Sequence, residues 1–297
     1  MEKKPTPEEI NSIFDKLRGT VYSQMHSDMQ EKLDIYHGRI DCAVPKDFPE
    51  YVPPTAPEKV QGAVFQLITD NPVVEIEPQD DTGIARSSSD IEREFSQYCL
   101  EQWALWNDQD PVKETAFNLM LYGMGAMKGP LYISTLWPSD DVEKKERRLL
   151  QRQRLPIVVH AIDPMNFYPD PSGRFVIECY KRYAGDIRAE HKYFDSEADD
   201  YDVLDFLEYW SHNWRYFEAR AVAAEVGDAV LKGGVQPNIY GFIPYAWSYS
   251  GWGKSSPDGK PEEKAVGILD HIISSLKAEA RVKSAMEAHI RMNIFGR

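Results

Sequence analysis

The spacing of apolar positions divides the chain into a mostly helical front, a β-rich middle and a helical end. Thr6 is a suitable N-cap, and Glu8 and Glu9 follow where the helix dipole favours acids; Ile10, Ile13, Phe14 and Leu17 then recur at helical spacing. The periodicity resumes through Met25, Met29, Leu33 and Tyr36, so residues 6–37 are predicted helical, ending near Gly38. The five prolines among residues 43–57 predict an extended crossing segment. Residues 58–69 read as a helix on Val60, Val64, Leu67 and Ile68, residues 72–78 as a short alternating strand, and residues 79–89 as a polar loop. Residues 90–106 form a strong amphipathic helix through Ile91, Phe95, Tyr98, Cys99, Trp103 and Trp106, capped by Ser89 or Asp90. A helix over 112–122 ends at Gly123-Met-Gly125, and a strand follows over 127–136. The mixed charges of residues 140–154 predict a solvated hairpin tip or exposed helix.

From Leu155 to Tyr249 the pattern becomes mostly β. Strands are predicted over 156–162 and 175–183, with the turn-rich Asp163–Gly173 between them, and a short helix over 185–193. Residues 203–212 and 215–222 pair as a hairpin through Asn213-Trp214; residues 229–234 are a turn; residues 242–249 are a strand that Pro244 pushes toward a sheet edge. A glycine-rich polar linker, 250–260, leads to a last helix of some 30 residues, about 45 Å long. Pro261, Glu262 and Glu263 suit its first turn. It carries Leu269, Ile273, Leu276 and Ala280 on one side but Ile268, Ile272 and Val282 on others. A helix at the edge of a single domain needs one apolar stripe, so the surplus predicts a second partner.

Composition bounds this picture. At 297 residues and 42% hydrophobic, the chain can bury a sizeable core in one large domain or two smaller ones. Its net charge of −14 opposes tight DNA binding by the whole surface, since such binders displace counterions with Lys and Arg. The acidity is compatible with a repulsive wall past which DNA slides, and equally with plain solubility. Residues 260–297 depart from the rest, with a net charge of +2. Three distant cysteines, Cys42, Cys99 and Cys179, form neither a zinc motif nor a disulfide framework and fit a reducing compartment. The N-terminus has no apolar signal core, and no apolar run approaches the ~18 residues a membrane span needs, so no membrane partner is expected.

Candidate chemistry is sparse. None of the seven histidines forms HExxH or HxH, and no GxSxG, P-loop or GxGxxG occurs, so no cofactor is expected. The strongest enzymatic reading is a metal-dependent nuclease using Asp163, Asp170, Asp186, Asp195, Glu197, Asp199, Asp200 and Asp202. Against it, Asp163-Pro and Asp170-Pro are turn formers, and residues 195–202 contain no Lys or His base. The aromatics of Tyr209-Trp210, Trp214, Tyr216-Phe217 and Tyr245–Tyr249 could stack single-stranded nucleic acid, but strand alternation already explains them as core. The expectation is a protein without catalytic residues or a metal site.

Four stretches, in this order, resemble the portal (head-to-tail connector) proteins of tailed bacteriophages: Phe117–Lys128, a helix ending in a glycine turn before a strand; His160–Pro171, a "DP…(F/Y)xDP" turn; Glu208-Tyr-Trp210, opening a hairpin; and Asn238–Tyr245, a "G-x-(I/L)-P" strand before a long helix. The resemblance implies an α+β fold: a wing of helices and antiparallel strands over 1–250, a linker over 251–261 and a protruding stem helix over 262–297. It implies a twelve-copy ring at one capsid vertex of the virion, assembled in the host bacterial cytoplasm and serving DNA packaging and ejection. The implied partners are other copies of the chain, the terminase motor, the major capsid protein, a tail adaptor and, transiently and without sequence specificity, double-stranded DNA. Lys277, Arg281, Lys283 and Arg291 would then lie near the channel or pair with acids of a neighbour. Portals usually continue into a clip, a second stem helix and a crown, which follow nowhere before Arg297; weak, salt-sensitive oligomers or monomers are expected on that ground. Another phage capsid or tail scaffolding protein is the remaining alternative.

Overall fold

The computed structural model describes residues 3–44, 50–68, 75–78, 82–106, 110–132, 157–191, 194, 198–221, 234–256 and 258–295. It is a mixed fold of helices and antiparallel sheet, and it divides into two compact units that interleave along the chain. The first comprises Met1–Asp28, Ile162–Tyr245 and Ser256–Glu263; the second comprises Met29–Ala161, Ala246–Ser255 and Lys264–Arg297. The expected wing, linker and stem are successive stretches of sequence and therefore do not map one-to-one onto these units.

In the first unit, helix α1 (Pro7–Lys16) begins with a reciprocal capping box: Thr6 Oγ1 accepts from the Glu9 N–H, and the Glu9 carboxylate accepts from the Thr6 N–H at 2.8 Å. A π-turn at Leu17–Val21 joins it to helix α2 (Ser23–Tyr36), whose residues up to Asp28 belong to this unit. The sheet has the order β3-β4-β5-β6-β7, with β3 Phe167–Pro169, β4 Phe175–Tyr183, β5 Val203–Ser211, β6 Trp214–Ala221 and β7 Gln236–Pro237. The expected hairpin is present, in a register pairing Tyr209 with Tyr216 and Trp210 with Arg215. One sheet face receives Phe14, Tyr22 and His26, which surround Tyr168 at ring distances of 5.2, 6.1 and 5.0 Å. Toward the end of β4, the other face is covered by helix α6 (Ala184–Glu190), where Ala184 and Ile187 pack with Phe194, Leu204, Phe206 and Ala219.

The second unit contains the remainder of α2, helices α3 (Thr55–Leu67), α4 (Gly83–Trp106) and α5 (Pro111–Tyr122), and a three-stranded sheet ordered β2-β1-β8. These strands are β1 (Met124–Tyr132), β2 (Ile157–Ile162) and β8 (Tyr245–Tyr249). Asp110 caps α5 by accepting from the Val112 N–H at 2.9 Å. Gly123 ends the helix in the left-handed conformation, φ +82°, which glycine adopts without a Cβ penalty.

Several expectations require correction. The loop assigned to 79–89 is helical from Gly83: the Thr82 hydroxyl caps α4 by accepting from the Ala85 N–H, and Ser89 turns its hydroxyl back onto the Ala85 carbonyl at 2.7 Å instead of opening the helix. Of the strand assigned to 72–78, residues 75–78 are not in a strand and 72–74 lie outside the described residues, as do 133–156 and 222–233. The strand assigned to 242–249 begins only at Tyr245, after Pro244. The single helix over 262–297 is two: α7 (Pro261–Lys264) and α8 (Ile273–Phe295). The break arises because the intervening chain lies on the end of α5. The Ile268 N–H donates to Met120 O at 2.8 Å, and a Cβ on Gly267 would meet Leu121 O at 2.2 Å.

Candidate functional site

The four cations singled out from the sequence all lie on α8, and each has a partner within the chain. Lys277 pairs with Glu31 of α2, and Arg281 Nε donates to the Asp41 carbonyl at 3.2 Å. Lys283 pairs with Glu279 at 2.6 Å and lies over the Tyr51 ring, while Arg291 pairs with Glu287 at 2.9 Å.

The helix has two opposite apolar faces. Leu276, Ala280, Ser284 and Ala288, spaced four apart, are buried within the second unit. Small residues at three of these positions allow a close approach, and Ser284 Oγ both accepts from the Tyr51 N–H (2.8 Å) and donates to the Tyr51 carbonyl (3.2 Å). Half a turn away, Val282, Met286 and Ile290 are 59%, 58% and 44% exposed. The helix therefore buries one face within the chain and presents an apolar ridge on the other.

The approach to α8 is fixed by a lysine that sequence reading missed. Lys32 is 1% exposed; its ammonium donates to the carbonyls of Tyr122 (3.3 Å) and Ala265 (3.0 Å) and pairs with Asp270 Oδ2 at 2.6 Å. An ammonium has three donors, and these three acceptors match them. Lys32 sits on the same side of α2 as Met25 and Met29, in a place where hydropathy expects an apolar residue.

The polar centre of the first unit is a pair of glutamates. Glu178 and Glu208 lie opposite each other across β4 and β5, and both are buried. Directly opposed residues have Cβ atoms about 4.5–5.5 Å apart. Tyr245 donates to Glu178 at 2.7 Å; Tyr180 (2.7 Å) and the Trp210 indole N–H (3.0 Å) donate to Glu208. Burial and the adjacent carboxylates push both tyrosine hydroxyls well above their ordinary range, which keeps them protonated as donors. Of the aromatic positions read as core, Tyr209, Trp210, Tyr216 and Tyr245 are buried, while Trp214, Phe217, Trp247 and Tyr249 are half-buried. The glutamates among them carried no sequence signal beyond their type.

The carboxylates of the nuclease reading serve separate local roles. Asp163 accepts from the Met165 N–H (3.0 Å) at the 3₁₀ turn Pro164–Asn166, and burial holds its carboxyl above the usual carboxylate range. Asp170 accepts from the Arg174 backbone and pairs with its side chain at 2.8 Å. Asp186 is in the first turn of α6; Asp200 pairs with Arg188; Asp199 and Asp202 close a turn on each other. Asp195 and Glu197 lie outside the described residues. Among the described residues, no three His, Cys, Asp or Glu side chains come together as a metal site would require. Burial raises the thiol of Cys179 to about 11 and that of Cys99 above its ordinary value, which disfavours a thiolate nucleophile at either.

Among the described residues no helix is long and apolar enough to cross a membrane. No protein-family model matches the chain, and no curated protein matches it.

Proposed function

We propose that this chain is a structural subunit of a ring of the phage-portal type, a conduit for double-stranded DNA at a capsid vertex. In this reading it performs no catalysis and acts by assembling with copies of itself, the terminase motor, the capsid protein and a tail adaptor. The observation that carries the assembly part is α8: one face buried within its own unit, the opposite face an exposed apolar ridge. The portal part rests on the order of four sequence stretches; the local structures are of the expected kind at three, α5 ending at Gly123 before β1, the Asp163–Gly173 turns and the β5–β6 hairpin, whereas Asn238–Tyr245 reaches a strand only at its last residue and the helix after it is broken. Engagement of the Asp163–Asp202 carboxylates in turns and ion pairs favours this reading over a nuclease.

Native mass spectrometry of the full chain over a range of concentration and ionic strength tests the reading. Ring-forming subunits give a ladder of oligomers that grows with concentration and shrinks with added salt, as exposed charges are screened. The exposed α8 ridge narrows the expectation from monomers or weak oligomers to weak oligomers, so a mass that stays monomeric even at the highest concentration would overturn it.

A further inference from the structure

The second unit exposes a second apolar stripe, on α4. Ile91, Phe95 and Tyr98 are 64%, 51% and 36% exposed and fall within about 60° of one another around the helix, whereas Ser89 and Cys99 are buried. Of the apolar positions read on this helix, Cys99 is buried while Ile91, Phe95 and Tyr98 face outward. The charges of the two exposed helices are opposite. Helix α4 has Asp90, Glu92, Glu94 and Glu101 against Arg86 and Arg93, a net of −2; α8 has Lys277, Arg281, Lys283 and Arg291 against Glu279 and Glu287, a net of +2, or +1 once Glu31, the partner of Lys277, is counted with it.

We infer that the α8 ridge of one copy, Val282, Met286 and Ile290, docks on the α4 stripe of a second copy, Ile91, Phe95 and Tyr98. This rests on the ring reading and names the surface that would build it. Two helices of like charge would repel along their length, so the opposite signs favour pairing α4 with α8 over α4 with α4 or α8 with α8. Aromatic rings on one side and a thioether with aliphatic side chains on the other are complementary, because methionine sulfur packs favourably against aromatic rings and adapts to their shape. The two patches are different surfaces of the same unit. The contact is therefore heterologous: each copy uses one patch and leaves the other free for the next, which is the condition for a ring or an open helix and not a closed two-fold dimer.

Complementation between two surface variants tests this. Phe95→Glu disables only the α4 stripe and Met286→Glu only the α8 ridge; both side chains are exposed, and thermal melting verifies the fold. Ile91→Glu and Val282→Glu form a second pair should either of the first melt low. By sedimentation velocity, wild type is expected to associate with rising concentration, and each variant alone to bind itself at least roughly a hundredfold more weakly. An equimolar mixture of the two should recover a complex that stops at one copy of each, since only one intact pair of patches remains. If both variants associate as wild type does, the interface is wrong while ring assembly through another surface stands. If either variant forms homodimers at wild-type strength, the pairing is isologous and the inference fails. A wild type that never associates overturns both the interface and the ring reading.

Discussion

The Lys32 anchor allows a quantitative test of how α8 is held. Lys32→Met retains most of the buried stem but removes the ammonium that joins Tyr122 O, Ala265 O and Asp270. Breaking a buried ion pair by deleting one partner costs about 3–5 kcal/mol. The Asp270 side chain is 27% exposed, so water recovers part of that loss. The two carbonyls each forfeit about 1 kcal/mol of hydrogen bonding. With the recovery at Asp270 and the two carbonyl losses roughly offsetting, the net is about 3–5 kcal/mol, read as a lower urea midpoint at unchanged slope. Asp270→Asn should cost at least as much, since it leaves the ammonium in place with its side chain only 2% exposed. The double variant should recover about 1 kcal/mol or more relative to the sum, because the two residues form one network. Asp270 lies three residues before α8, so amide exchange in the first turns of that helix should also quicken in Lys32→Met. A loss below about 1 kcal/mol with additive effects would refute the argument: the pair would then be a surface-like contact.

Three further outcomes are expected. Trp210→Ala should destabilise by about 3–5 kcal/mol, since Trp210 is buried, packs edge-on against Phe217 at 5.5 Å and donates to Glu208; a thermal shift no larger than that of a surface substitution would contradict its place in the core. His26 has its pKa lowered to about 4, chiefly by burial, with hydrogen bonds to the backbone at Pro164 and Phe167 acting the other way. The unfolded chain protonates near 6.5, above the folded value, so stability is full above that pH and falls between about 6.5 and 4, by on the order of 1–3 kcal/mol; His26→Gln should flatten the denaturation profile across that window, and an unchanged slope would dismiss the effect. Gly123→Ala should severely destabilise, because φ is +82° and a Cβ would come within 2.3 Å of the Val266 backbone; near-wild-type melting would contradict that close approach.

Much of the local structure was legible in the sequence because its signals were local. Thr6 and Glu9 announce α1, Gly123 ends α5, and alternation over 203–222 gives the β5–β6 hairpin with its Trp210 core. What escaped depended on distant partners. Hydropathy cannot foresee that Lys32 is buried, because its three acceptors come from Tyr122, Ala265 and Asp270. Nor can periodicity foresee that the last helix breaks, because the break is imposed by the end of α5 lying against Gly267. The stripe of α4 was visible as a pattern, but a helical wheel does not say whether its apolar side meets the core or stays exposed. Of the surplus apolar positions read on the last helix, Val282 is exposed on α8, but Ile268 and Ile272 precede that helix, and Ala280, Ser284 and Ala288 join Leu276 in forming its buried face.

Assembly into a ring that encircles DNA is visible by single-particle electron microscopy of the concentrated protein. Rotationally symmetric closed rings, or open arcs of the same curvature, whose central opening admits a double helix are the expected images. Isolated monomers at every concentration, or closed two-fold dimers with no free patch, rule out the proposed ring.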